Sequence, residues 1–191
     1  VQPGTLPISN SLAGQCHHSI PQRSAVVNKV KTYYTDQLEE YAEVLWRELQ
    51  LSCPVDLLAV CEHLGIALDK SPMGSDLSGI CLHDGPKPMI LVNSLEILGR
   101  QRFTVAHEIA EHLLIEMLGQ PLDPGRSRVD RDQRCDRFAA ALLMPHWFMR
   151  KWWEELASNP TGRVAVLADR FEVTMSAVRN RARYLQLETR R

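Results

Sequence analysis

No apolar run in this chain approaches the roughly 18 residues that a membrane-spanning helix needs, so a membrane-embedded role is not expected. Charge of one sign is also missing: 22 Lys and Arg stand against 23 Asp and Glu, a net charge of −1. That balance supplies no overall field for nucleic acid or anionic lipid, and any such partner has to be met by a local patch. Cysteine is scarce and unpatterned. Cys16, Cys53, Cys61, Cys81 and Cys135 form an odd set without C-x-x-C spacing, which argues against both a disulfide framework and a Cys-type zinc finger. The first twenty residues hold no Lys or Arg and no apolar stretch of the kind a secretory signal carries. Together these absences point to a reducing compartment, the cytoplasm. No internal repeat is apparent. What remains is an ordinary soluble composition, 45% hydrophobic and 24% charged over 191 residues, enough for about one domain and an appendage.

Residues 1–24 mix Pro3, Pro7, Pro21, Gly4 and Gly14 with several Ser and show no apolar periodicity, the pattern of a disordered tail. Its Cys16-His17-His18 cluster has metal-binding residue types on a segment that enforces no geometry, so it reads as tail rather than as a site. Leu38, Tyr41, Ala42, Leu45 and Leu49 recur at helical spacing, with Asp36, Glu39, Glu40 and Glu43 opposite them, which predicts an amphipathic helical region over about 26–50. A shorter helix follows, with Pro54 near its first turn and Gly65 after Leu64. Leu77–Leu82 and Met89–Val92 are β-prone runs around His83-Asp84-Gly85-Pro86, where Asp-Gly predicts a hairpin turn with positive φ. Helical period returns over 100–118, about 131–143 and the segment bearing Trp147, Trp152 and Trp153. It returns again over Val164–Phe171 and over Met175–Leu187, the last behind a Thr174 cap.

The informative stretch is Arg102-Phe103-Thr104-Val105-Ala106-His107-Glu108-Ile109-Ala110-Glu111-His112-Leu113-Leu114. An H-E-x-x-H helix sets two metal-binding imidazoles one turn apart, with a Glu beside them to take a proton from water. Here the i+4 position from His107 is Glu111, and the second histidine, His112, falls at i+5. At about 100° per residue Glu111 lies about 40° from His107, whereas His112 lies about 140° away and sits over Glu108. A regular helix therefore offers His107 and Glu111 as the ligand pair, and His112 serves only if a π-bulge intervenes. A solvated charged face would show the same His-Glu-x-x-Glu spacing. A third ligand is available on the next helix, where Asp132 and Asp136 share a face beside the apolar stripe of Cys135, Phe138, Ala139 and Leu142. Asp130 and Asp136 compete with Asp132 on spacing alone.

Four strings occur in order over about residues 35–187: Ser78-Gly79-Ile80; Ile90-Leu91-Val92-Asn93; Arg100-Gln101-Arg102-Phe103-Thr104-Val105-Ala106-His107-Glu108; and Arg134-Cys135-Asp136-Arg137-Phe138-Ala139-Ala140-Ala141-Leu142-Leu143-Met144-Pro145. Together they resemble the ImmA/IrrE family of bacterial metallopeptidases. The resemblance implies zinc held by the two histidines of H-E-x-x-H and by an acidic residue on the following helix, with the motif Glu as general base. His107 then matches the first ligand and Glu108 the base. Glu111 stands where the second histidine is expected, and Asp132 where the family usually has Glu. One imidazole and two carboxylates make a harder, more anionic set than the family's own, so the expected cofactor is Zn²⁺ with Mn²⁺ as the alternative.

Val164–Val178 resembles a helix-turn-helix, and residues 161–191 carry seven Arg against three acids. Arg179, Arg181 and Arg183 stand where a DNA reader would place contacts. The other account makes them snorkelling arginines of a small bundle. Glu172 replaces the Gly common in the turn and adds an acid where phosphate would approach, so DNA is the less favoured partner.

The expected fold is α+β and helix-rich: a zincin-like metallopeptidase domain with a small β-sheet over 25–145, and a C-terminal helix-turn-helix-like region over 146–191 packed on it. The expected function is metal-dependent hydrolysis of a peptide bond in a protein substrate. The family resemblance implies a helix-turn-helix transcriptional repressor of a mobile element or stress response. The alternative is a catalytically degenerate member that binds a repressor or DNA.

Overall fold

A computed structural model describes residues 38–118 and 128–188 of the chain. The expected tail with Cys16, His17 and His18, the first part of the 26–50 helical region, and the loop at Pro124 and Gly125 lie outside the described residues.

Helix α1 (Leu38–Glu48) buries Leu38, Tyr41, Ala42 and Leu45 of the stripe its spacing predicts, together with Val44 and Trp46, while Leu49 is half-buried just past the helix end. Trp46 can go inside because its indole N–H donates to the Leu142 carbonyl at 2.8 Å. Helix α2 (Leu57–Leu64) begins where the Asp56 carboxylate accepts from the Ala59 N–H at 3.1 Å, and ends at Gly65 in the left-handed region, φ 72°. Pro54 lies just ahead of the Asp56 cap, near the first turn as expected.

Three strands follow, β1 (Ala67–Ser71), β2 (Gly79–Leu82) and β3 (Met89–Asn93), in spatial order β1-β3-β2. The β2–β3 pair is antiparallel, as the two apolar runs predict. The expected positive-φ Asp-Gly turn is not formed: among the described glycines only Gly65 has positive φ. The connection runs from His83 to Pro88, long enough to reverse the chain without a left-handed residue. Strand β1, parallel to β3, was not anticipated.

Helix α3 (Leu98–Leu118) is α-helical throughout its 21 residues, without a π turn. It lies against β2 so closely that a Cβ on Gly79 would sit 2.5 Å from Thr104 Cγ2 and 3.1 Å from the Leu91 carbonyl oxygen. Gly79→Ala is therefore expected to cost about 1–3 kcal/mol through overpacking, and Thr104→Ser, which deletes the clashing methyl, should recover part of it. Urea unfolding of the two single variants and the double variant measures this. A cost unchanged by Thr104→Ser would place the conflict at the Leu91 carbonyl instead.

Helix α4 (Arg128–Leu143) packs on α1 and α3 through Cys135, Phe138, Ala139 and Leu142, all fully buried. Helix α5 (His146–Glu155) starts directly after Pro145. Helices α6 (Arg163–Phe171) and α7 (Met175–Tyr184) are joined through Glu172, which takes φ 53° and pairs with Arg102 at 3.4 Å. The Thr174 hydroxyl accepts from the Ala177 N–H at 3.2 Å to start α7. That helix ends at Tyr184 rather than Leu187, with Gln186 at φ 56°. One apolar core runs from Leu38 to Leu187. Arg181 belongs to it: 3% exposed, it is not available to a phosphate, whereas Arg179 and Arg183 are exposed. No helix among the described residues is long and apolar enough to cross a membrane.

Candidate metal centre

One turn of α3 sets His107 beside Glu111, with Nε2 and Oε1 3.8 Å apart, as the i, i+4 geometry of a regular helix dictates. The other ring nitrogen, Nδ1, donates to Asp136 Oδ1 on α4 at 2.9 Å. A carboxylate behind an imidazole in this way fixes its tautomer and orientation, the usual arrangement behind a metal-ligating histidine. Burial disfavours the charged ring, yet the hydrogen bonds to Asp136 and Glu111 outweigh it and raise the His107 pKa to about 9. A cation arriving at Nε2 therefore displaces a proton.

Glu108 lies on the neighbouring face, toward β2. Burial first, then the charge on Glu111, lift its pKa to about 7, while His107, the Cys81 backbone N–H and Arg131 pull it back. A carboxyl titrating near neutrality is matched to proton transfer at that pH.

His107, Glu108, Glu111, Asp132 and Asp136 all line a cleft of about 470 Å³ whose far wall is β2 at Gly79–Cys81. Asp132, expected as third ligand, lines the same cleft and pairs with Arg131. Its Oδ1 lies 3.5 Å from Arg131 Nε, which also stands 3.3 Å from Glu111 Oε1, so a guanidinium bridges the two carboxylates. That Nε is buried and makes no well-formed hydrogen bond, an orphaned donor inside an acidic cluster. Asp136 reaches His107 only through Nδ1. The Asp130 side chain is outside the described residues. Cys135 Sγ falls within 4.8 Å of the His107 and Glu111 ligand atoms, but burial in the core pushes its thiol pKa up strongly.

His112, the alternative second ligand, is buried one turn beyond Glu108 on the face toward β2, with Nδ1 3.1 Å from His83 Nε2. The donors around His107 suit a divalent cation: four carboxylates and an imidazole face one guanidinium, and two candidate ligand atoms already converge. Arg131 had no signal in the sequence beyond its place next to Asp132. The partnership of His107 with Asp136 was foreshadowed only by the shared face of Asp132 and Asp136.

A peptidase family described as the IrrE N-terminal-like domain matches residues 61–183. Over 96 residues the chain is 38% identical to the radiation response metalloprotease IrrE of Deinococcus radiodurans, an alignment that takes in 47% of this chain and 29% of that protein. Among solved structures it is similar to a Mycobacterium tuberculosis transcriptional regulator, with a TM-score of 0.56 and 20% identity over 83% of this chain and 50% of that one. At that identity the likeness is one of fold. The chain thus spans less than a third of the curated relative and half of the solved structure.

Proposed function

The chain belongs to the peptidase family of the IrrE N-terminal-like domain, and from that premise we propose that it hydrolyses a peptide bond in a protein substrate, with Glu108 as general base. The observation that carries this is the arrangement of His107, Glu108 and Glu111 along one helix, facing a cleft walled by the edge strand β2. Ile80 and Leu82 are exposed on that strand. An extended substrate segment can add to β2 by backbone pairing, with side-chain pockets supplying choice. This lays the scissile bond alongside Glu108. His107 and Glu111 would hold the metal, with Asp132 joining them once Arg131 releases it. A divalent ion held there would supply Lewis-acid polarisation of the scissile carbonyl. Glu108 takes the proton of the attacking water and later returns it to the leaving amine, while Asp136 holds the His107 ring in place. Zinc is the proposed metal, with manganese the alternative for an oxygen-rich set.

The substrate we propose is a helix-turn-helix repressor, and the compartment the cytoplasm. Incubation of the purified chain with Zn²⁺ and a candidate repressor, with and without chelator, tests this by the appearance of a discrete, chelator-sensitive product. One observation favours a second reading. Arg131 occupies the space between two proposed ligands, as it would in a member that binds the repressor without cutting it. In that case the same incubation gives a stable complex and no product.

The ligand assignment has its own test. Glu111→His puts a second imidazole at i+4, and zinc affinity at this site is expected to rise by about tenfold or more as nitrogen replaces oxygen. Competitive titration at fixed pH measures it, because ligand deprotonation makes affinity pH-dependent. Equal or weaker affinity would mean that position 111 is not a ligand and that the helix merely carries a charged face there.

A further inference from the structure

A second set of donors meets further along the β2–α3 contact, one helical turn beyond Glu108. Gly79, Cys81 and His83 alternate along β2 and just beyond it, so all three point to one face. Thr104, Glu108 and His112 are successive i+4 positions on α3. The repeats nearly match, at about 6.7 Å per two strand residues and about 6.0 Å per four helix residues. Gly79 therefore meets Thr104, the Cys81 backbone meets Glu108, and His83 meets His112. At this last rung Cys81 Sγ lies 3.7 Å from His83 Nε2, which lies 3.1 Å from His112 Nδ1, and all three atoms fall within 4.8 Å of one another.

The separations of His83 Nε2 from Cys81 Sγ and from His112 Nδ1 are those of ligands around one ion. With Zn–S of about 2.3 Å and Zn–N of about 2.05 Å, a tetrahedral centre sets S and N about 3.6 Å apart and N and N about 3.3 Å apart. We propose that Cys81, His83 and His112 form a binding site for zinc, separate from the one at His107 and Glu111. One thiolate and two imidazoles are borderline-soft donors that suit Zn²⁺ and disfavour Mg²⁺ or Mn²⁺. Three protein ligands leave a fourth position for water or another donor. Burial of His112, 4% exposed, holds one ligand rigidly, and the residues before Asp84 bring the other two. This site does not rest on peptidase activity. It also gives His112 a role that its i+5 position denies it beside His107.

Co²⁺ added to the full chain under reducing conditions provides the readout, since thiolate-bound Co²⁺ shows a near-ultraviolet charge-transfer band that imidazole and carboxylate ligands lack. The band is expected in the parent chain, to be displaced by Zn²⁺ and to be absent from Cys81→Ser. Cys135→Ala, which removes the thiol nearest His107, should keep it. Zinc affinity at this site should fall by at least about 100-fold in Cys81→Ser, more than the loss of an outer-shell partner produces. His83→Gln should act likewise, which keeps the test decisive if Cys81→Ser does not fold by circular dichroism. Absence of the band from the parent chain would overturn the proposal and leave a hydrogen-bonded Cys-His-His chain. So would a band that survives Cys81→Ser and disappears in Cys135→Ala. Because Glu111 is not one of the three donors here, and Cys81, His83 and His112 are not donors there, failure of one assignment does not carry the other with it.

Discussion

Replacing Glu108 by Gln is expected to lower the rate of substrate cleavage by about 100- to 10,000-fold while leaving a folded protein that still binds metal and substrate. The amide has nearly the shape of the carboxylate and can still accept from the Cys81 N–H, so β2 keeps its place on α3. What it cannot do is take a proton from water. The effect should appear in kcat with KM little changed, since Glu108 enters the scheme only in proton transfer. Single-turnover assay of a candidate repressor, with metal content measured on the same sample, decides the matter. Full activity with metal bound would show that another base does the work. A variant that loses metal as well would make Glu108 part of the ligand set.

Most helices were legible in the sequence because each carries both a period and punctuation. Leu38, Tyr41, Ala42 and Leu45 mark the buried face of α1, and Gly65 takes the left-handed conformation that ends α2. Strand β1 was not legible. Ala67-Leu68-Asp69-Lys70-Ser71 has little β-branched or aromatic content and is only partly buried. It is held by parallel pairing with β3, a long-range interaction that leaves no local signal. The hairpin was legible as a pair of runs but not in its turn, since Asp84-Gly85 sits in a connection long enough to avoid positive φ. Glu172 shows the converse: the left-handed turn residue between α6 and α7 is not glycine but a glutamate opposite Arg102.

The site divides the same way. The relation of His107 to Glu111 follows from helical geometry alone, as does the separation of His112 from both. What the other elements contribute does not. The sequence can show that Asp132 and Asp136 share a face of α4, but not which one reaches His107. That depends on how α4 is rotated against α3, and so on Cys135 and Phe138 filling the space between them. Arg131 was missed because the arginine of a charged helix face is ordinarily solvated, whereas here it is turned inward between carboxylates on two helices. His83 was missed because it lay in what reads as a turn, and its partner is 29 residues away on α3.

The second large expected effect is on stability and concerns Arg181. Its sequence position suggests phosphate contact, but the side chain is folded inward, with Nη1 donating to Glu39 Oε1 at 2.7 Å and Nε to the Met144 carbonyl at 3.1 Å. The Tyr184 hydroxyl donates to the other Glu39 oxygen at 2.8 Å. This network ties α7 to α1 and to the end of α4, so it joins the C-terminal helices to the rest of the fold. The two partners are not equivalent, because Arg181 is 3% exposed and Glu39 27%. Glu39→Ala leaves a guanidinium buried with a single carbonyl, and breaking a buried pair from this side is expected to cost about 3 kcal/mol. Arg181→Met should cost less, since Glu39 can turn to water and Tyr184, leaving mainly the Met144 carbonyl short of a donor. The double variant should then be close to Arg181→Met alone, because Glu39 has nothing left to neutralise. Urea midpoints for the four proteins close the cycle. A cost below about 1 kcal/mol for Glu39→Ala would show that Arg181 reaches solvent when released. It would return that arginine to the exposed patch with Arg179 and Arg183, and salt-sensitive duplex binding by the Glu39→Ala protein would then be the measurement to make.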